Sequence, residues 1–232
     1  MAATLTLLTY AVLNAQLGAE RLSSKFDAYE IIGVITPGSV LLFGLALLFP
    51  DLKSLFFEQG FSVGDLGLFL VLSFVAGHLI QAAGNLIEGV IWKPFGGMPT
   101  AWLIKNPQKL LHDTQVERLR QDVKTDFDCN LQQLSPAQWA SIVREMYAAV
   151  QAKGDTSRID SFNRTYGLMR GVTATLGALA VLALIVTWPA WKPPVLTALA
   201  AHIAGYRMVR FGKRYGRELI VVYLRLEKPE SG

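Results

Sequence analysis

Charged residues and cysteine are scarce in this chain of 232 residues. Only 17% of the residues are charged and 52% are hydrophobic, whereas soluble domains hold nearer ~25% charged residues. The single cysteine, Cys129, excludes an internal disulfide framework and fits a reducing compartment for its segment. The shortage of charge, together with long apolar runs, indicates a protein whose solvent is largely lipid.

Sequence signatures of catalysis are also missing. The three histidines lie far apart, so no metal-binding spacing is present, and neither a Walker loop nor a dinucleotide-binding glycine motif follows a strand. The acidic residues around Cys129 disfavour a thiolate nucleophile there. We therefore expect no metal and no cofactor, and the sequence favours a non-enzymatic protein without excluding an enzyme.

The long apolar runs and the polar segments between them predict an all-α polytopic membrane protein with four transmembrane helices and a small cytoplasmic helical insertion. Residues 1–26 contain a short apolar run that no Lys or Arg precedes. This run is not a convincing secretory signal and is too short to span a bilayer, so we expect an amphipathic helix in the membrane interface.

Residues 27–93 hold the first two predicted spans. The first, Ala28–Phe49, contains Thr36-Pro37-Gly38, which should kink the helix or start a half-helix capped by Thr36. The second, Val63–Trp92, would be ~45 Å long, more than a ~30 Å hydrocarbon core, with Ser62 as its cap. Between them, Leu52–Gly60 is predicted to be a loop.

Residues 94–159 form the predicted insertion. Two pairs, Asn106-Pro107 and Ser135-Pro136, should open its helices at Gln108–Thr125 and Ala137–Gln151.

Residues 160–228 hold the last two predicted spans. Asp160 or Ser161 should cap the third, whose core Gly171–Trp188 has no charge. Trp188 and Trp191 in the following turn suit an interface. The fourth helix should begin at Pro193-Pro194 and run to Lys228.

Basic residues predict the orientation. Apart from Lys53 and Lys192, every Lys and Arg lies in the N-terminal segment, in the Lys93–Arg170 region or in the Arg207–Lys228 tail. The positive-inside rule then places both termini and the insertion in the cytoplasm.

Two stripes of polar residues match across the second and fourth helices. Spacings of three, four and three place each set on one helical stripe, at about the same depth from the outer face. The stripes are His78, Gln81, Asn85 and Glu88, and Arg207, Arg210, Arg214 and Arg217. We expect the stripes to meet, with Glu88 paired to Arg214 or Arg217.

Other residues of the third and second helices should join this arrangement. Arg164 and Arg170 enter at a similar level, and Gly77, Gly84 and Gly89 would let backbones approach closely. Three interpretations stay open: a structural ion-pair network, a polar vestibule or pore, and a catalytic site on Glu88 and His78.

The basic C-terminal segment, Arg207–Lys228, indicates which molecules the chain binds. Its arginines are interleaved with Tyr206, Phe211 and Tyr215, so they could touch nucleic acid, but their place after a span favours anionic lipid headgroups. The apolar tail Leu219–Leu226 should need a protein partner or another copy of the chain, which favours a homo-oligomer. A cytoplasmic protein partner would bind through 101–158.

The layout resembles small bacterial four-helix membrane proteins of antiphage defence operons. The stretches that carry this resemblance are Phe26–Pro37, Gly77–Glu88 and Phe162–Gly171. The resemblance implies a membrane component that senses or disrupts the envelope together with a cytoplasmic partner.

Overall fold

The computed structural model describes residues 28–57, 63–153 and 155–226. Within these residues the chain is helical and contains no strand, which confirms the all-α class. The described residues form eight α-helices, which are, in chain order, α1 Ala28–Leu48, α2 Pro50–Phe57, α3 Val63–Trp92, α4 Pro99–Lys105, α5 Asp113–Phe127, α6 Pro136–Lys153, α7 Ser157–Val186 and α8 Lys192–Tyr223. The expected interfacial helix in residues 1–26 and the Ser62 cap lie outside the described residues.

Three stretches among the described residues are long and apolar enough to cross a membrane. They are Ile31–Leu48, Val63–Lys105 and Ser157–Val186. The fourth predicted span, in α8, is not among them, because its apolar run Val195–Tyr206 is followed at once by arginines. The predicted bounds of α3, Val63–Trp92, are confirmed.

Helix α1 continues through its proline. It runs unbroken from Ala28 to Leu48 with Pro37 inside, so the alternative of a new half-helix capped by Thr36 is wrong. The predicted loop Leu52–Gly60 is also wrong in its first part, since Pro50–Phe57 is helical. Pro50 and Asp51 suit the first turn of a helix, where a missing N–H costs nothing and a carboxylate meets the positive end of the dipole.

Three other helix ends differ from their predictions. The helix expected from Gln108 begins at Asp113, because Pro107 starts a separate 3₁₀ turn and His112 with Gln115 forms the capping box. Helix α7 begins at Ser157 rather than after an Asp160 or Ser161 cap, and α8 ends at Tyr223 rather than Lys228. The predicted start at Ser135-Pro136 is confirmed, with Ser135 and Gln138 bonded to each other.

The backbones of helices α1 and α3 approach each other closely where the two helices cross. A Cβ added to Gly77 would lie 2.0 Å from the Val34 carbonyl oxygen, and one added to Gly38 would lie 1.8 Å from the Ser73 carbonyl oxygen. The expectation for Gly77 is therefore confirmed. Gly84 instead faces the side chain of Arg170, and nothing lies near Gly89, so the expectation of close backbones there is wrong.

The molecule has two halves with different surfaces. In one half, the apolar side chains of α1, α3, α7 and α8 are largely exposed, as at Leu86 (80%) and Ile185 (70%). The other half has a buried core, to which α4, α5, α6, the start of α7 and the end of α8 contribute. Trp139, Leu119 and Met146 are almost fully buried there, as in a water-soluble domain.

The apolar tail of α8 belongs to this second core. Leu219, Ile220, Tyr223 and Leu224 are buried against the chain's own insertion. The prediction that the tail needs a partner or a second copy is therefore wrong, because the segment that covers it is distant in sequence.

We predict that Gly77→Ala destabilises the fold by about 1–3 kcal/mol, because the added methyl would force α1 and α3 apart. Gly89→Ala makes the same change in the same helix where the space is open, so it should be neutral or gain up to about 1 kcal/mol. Denaturant unfolding of the purified protein in detergent measures both. Equal effects of the two substitutions would contradict the close crossing.

Candidate functional site

The polar stripe of α3 divides into two faces. At about 100° per residue, positions seven apart differ by only about 20°, whereas positions three apart differ by about 60°. Gln81 and Glu88 accordingly share the face turned into the bundle and are half-buried, and His78 and Asn85 share a face that is exposed. The structure therefore brings only half of the predicted stripe into the interior.

Glu88 pairs with α7, not with α8. Arg170 donates from Nη1 to Glu88 Oε2 at 2.8 Å, and the Tyr166 hydroxyl donates to Glu88 Oε1 at 2.5 Å. The side chains of Arg170 and Glu88 are 21% and 20% exposed. The predicted pairing with Arg214 or Arg217 is wrong, because α7 packs along both α3 and α8 and presents its own arginine first.

Gln81 completes the backbone of the proline-containing helix. Pro37 has no N–H, so the carbonyl of Gly33, four residues earlier, lacks its usual helical donor. The Gln81 side chain donates from Nε2 to that carbonyl at 3.1 Å. Its Oε1 accepts from Nη2 of Arg170 at 3.3 Å. The Gln81 amide thus links the backbone of α1, at the hydrogen bond that Pro37 cannot make, to the ion pair between Arg170 and Glu88.

Helix α7 holds the same region of α1 from the other side. The Thr175 hydroxyl donates to the Pro37 carbonyl at 3.1 Å, and both groups are buried. A Cβ added to Gly171 would lie 2.8 Å from Cγ of Pro37, so the proline ring fills the space that the glycine leaves. Two other helices consequently bond to α1 around the proline: α3 at the Gly33 carbonyl and α7 at the Pro37 carbonyl.

Trp92 connects the network to the second core. Its indole Nε1 donates to the Tyr166 hydroxyl at 3.0 Å, and the ring is only 1% exposed. Gly212 of α8 lies directly against that ring, where an added Cβ would be 2.8 Å from Cζ2. We call the five bonded side chains Gln81, Arg170, Glu88, Tyr166 and Trp92 the Glu88 network.

The charges of the Glu88 network balance. It contains one carboxylate and one guanidinium, and both carboxylate oxygens accept hydrogen bonds from protein groups. Removing one member of such a pair leaves an uncompensated charge in a poorly hydrated place, which is far more costly than losing an exposed ion pair. The arrangement suits a rigid structural joint more than a site that must change its protonation.

The other predicted arginines lie outside the Glu88 network. Arg207 and Arg214 are exposed and stack on aromatic rings, both over Phe211 and Arg214 also over Phe162. Arg217 donates to the carbonyl of Leu110 at 2.8 Å. The remaining two, Arg164 and Arg210, are exposed.

Sequence reasoning missed Tyr166, Trp92 and Thr175. A signal was available for the first two: Tyr166 lies four residues before Arg170, and Trp92 four residues after Glu88, so each continues a helical face that was already marked as polar. Thr175 could not be found in this way, because its partner is a backbone carbonyl on another helix.

A second polar cluster lies in the other half of the molecule. Tyr147 donates to Oδ1 of Asp160 at 2.8 Å, and the Thr156 hydroxyl donates to Oδ2 at 2.7 Å. The hydrogen bond to Asp160, helped by burial, raises the pKa of Tyr147 to about 12. This cluster fastens α6 to the start of α7. Within the described residues no group of His, Cys, Asp and Glu could hold a metal ion.

No family model matches the sequence, and neither a curated protein nor a solved structure is significantly similar to it.

We predict that Glu88 is energetically coupled to Arg170 and not to Arg214. In a double-mutant cycle of Glu88→Ala and Arg170→Ala, the coupling energy should be about 1–3 kcal/mol, because either single variant leaves a charge unpaired. The matched cycle with Arg214→Ala should be additive within about 0.5 kcal/mol. Unfolding in detergent measures both cycles, and coupling to Arg214 instead would refute the assignment.

Proposed function

We propose that this chain is a multi-pass protein of the bacterial inner membrane, with α1, α3, α7 and α8 spanning the bilayer. The support is the exposed apolar surface of these helices, on which Leu86, Ile185 and Leu196 are 80%, 70% and 66% exposed, because soluble monomers rarely expose apolar side chains in large contiguous patches. Trp188 and Trp191 are exposed in the turn between α7 and α8, as interfacial anchors would be. Both termini and the helices α4–α6 lie in the cytoplasm in this proposal.

We include α8 as the fourth span because it packs along α7, which is long and apolar enough to cross a membrane. Helix α8 lies along α7 in the most extensive helix pair of the structure, so its apolar part Val195–Tyr206 reaches the same depth as the apolar part of α7. Its arginines then meet the anionic headgroups of the cytoplasmic face through their long side chains. The basic stretch is better explained by lipid than by nucleic acid.

We infer that the protein acts as the membrane component of an antiphage defence assembly, which senses the state of the envelope and passes it to a cytoplasmic partner. The single observation that carries this proposal is the Glu88 network at the junction of the two halves. It ties the Pro37 region of α1 to Trp92, at the edge of the second core, through an unbroken series of hydrogen bonds. A displacement of the spanning helices would therefore be transmitted to α4–α6. The role in defence rests on the resemblance in layout.

A pore-type, membrane-perturbing role in a homo-oligomer is the second candidate. It is favoured by His78 and Asn85, which are exposed on an otherwise apolar face of α3. Polar side chains are costly against lipid, and a second copy of the chain would shield them and could enclose a polar path. Catalysis on lipid headgroups is disfavoured, because both oxygens of Glu88 are bonded to protein groups. A passive scaffold would use the same cytoplasmic surface.

We predict the membrane orientation from the single native cysteine. A membrane-impermeant maleimide applied to spheroplasts should label Cys129 only after permeabilisation, because α5 and α6 lie inside. In a Cys129→Ser background, Ala190→Cys in the exposed α7–α8 turn should label without permeabilisation. The reverse pattern would contradict the orientation, and protection of both sites would contradict four spans.

We predict that a leak through the proposed pore depends on the exposed polar face of α3. Dye-loaded liposomes containing the wild type should leak, and Asn85→Leu should abolish the leak because the enclosed path loses its polar lining. Leu86→Ala, at a neighbouring lipid-facing position, is the matched control and should leak normally. Tight liposomes with the wild type would eliminate the pore version and leave the sensing role.

A further inference from the structure

A groove on the bundle surface runs between three helices. It has a volume of about 440 Å³ and is bordered by the end of α3, the middle of α7 and one face of α8. Ile91, Val209 and Gly205 give it a mainly apolar wall. Because Gly205 has no side chain, the groove is open down to Thr173 on α7, which lies 3.5 Å from a Cβ added at Gly205.

The groove has the length of one membrane leaflet. Along α8 it extends from Ala201 to Lys213, which is ~18 Å at ~1.5 Å per residue. Half of a ~30 Å hydrocarbon core is ~15 Å. An acyl chain lying in the groove would therefore run through one leaflet from its surface to its middle.

A cation lies at one end of the groove. The Lys213 ammonium is 5.5 Å from the ring centroids of both Phe95 and Trp102, which hold it in place. No carboxylate forms a salt bridge with Lys213 in the part of the chain that the structure describes. Lys213 follows Gly212, which packs on Trp92 at the junction of the two halves, where the proposed cytoplasmic face of the bilayer lies.

We propose that this groove is a binding site for an anionic phospholipid, with an acyl chain against Ile91, Gly205 and Val209 and the headgroup phosphate on Lys213. The combination of an apolar channel and a single unpaired cation at its mouth matches the two parts of such a lipid. The inference rests on the proposed membrane insertion and adds a specific lipid ligand to it.

Native mass spectrometry of detergent-purified protein, supplied with equal phosphatidylglycerol and phosphatidylcholine, tests the site. The wild type should retain phosphatidylglycerol over phosphatidylcholine by at least about fivefold, the preference expected from one cation near the headgroup. Lys213→Gln should lower the ratio about fivefold relative to the wild type, and Lys213→Arg should preserve it. Gly205→Leu should reduce retention of both lipids, because its side chain fills the groove.

Arg225→Gln is the matched control, because it removes one exposed cation just beyond the end of α8. It should leave the ratio unchanged. Three results for the phosphatidylglycerol-to-phosphatidylcholine ratio would overturn the site: a ratio near one in the wild type, an unchanged ratio in Lys213→Gln, or an equal fall in Arg225→Gln. Undiminished retention of both lipids by Gly205→Leu would also overturn it. These failures differ from a failure of membrane insertion, in which the wild type would be released from membranes without detergent.

Discussion

The ion pair between Glu88 and Arg170 fixes the relative position of α3 and α7, and the rest of the bundle is arranged around it. Charged side chains are expensive in an apolar bundle unless they are paired, so this contact permits few alternative registers. From Arg170, hydrogen bonds continue through Gln81 to the interrupted helix α1. From Glu88, they continue through Tyr166 to Trp92. Each end of the network therefore meets a different half of the molecule.

Pro37 explains why the network extends to α1. A proline within a helix leaves one carbonyl without its donor, and in an apolar environment that carbonyl must be satisfied by another group. Gln81 supplies the donor, and the close crossing at Gly38 and Gly77 brings the two helices near enough for it to do so. The proline, the two glycines and the glutamine thus act as one structural unit, although they come from two helices.

The sequence predicted the long helices well and the contacts between them poorly. Apolar length and periodicity identify α3 to the residue at both ends, because Val63–Trp92 is bounded by turn-forming and basic residues. The same pattern marked Gln81, Glu88 and Arg170 as members of a polar site, and the structure brings these three side chains into hydrogen-bond contact. The pattern assigned the wrong partner to Glu88. The position of a residue along its helix can be calculated from the sequence, but which neighbouring helix the residue faces cannot.

The amino-acid sequence by itself determined the all-α class, the apolar segments, the proline in α1 and the polar residues available to satisfy it, because these follow from composition and helical periodicity. Only the tertiary structure decided which half of the α3 stripe faces inward, that α7 supplies the cation, and that the apolar end of α8 is covered by the chain's own insertion. The reason is that each of these depends on the rotation and order of packed helices. Residues as distant in the sequence as Glu88 and Arg170 meet only when the whole bundle has assembled.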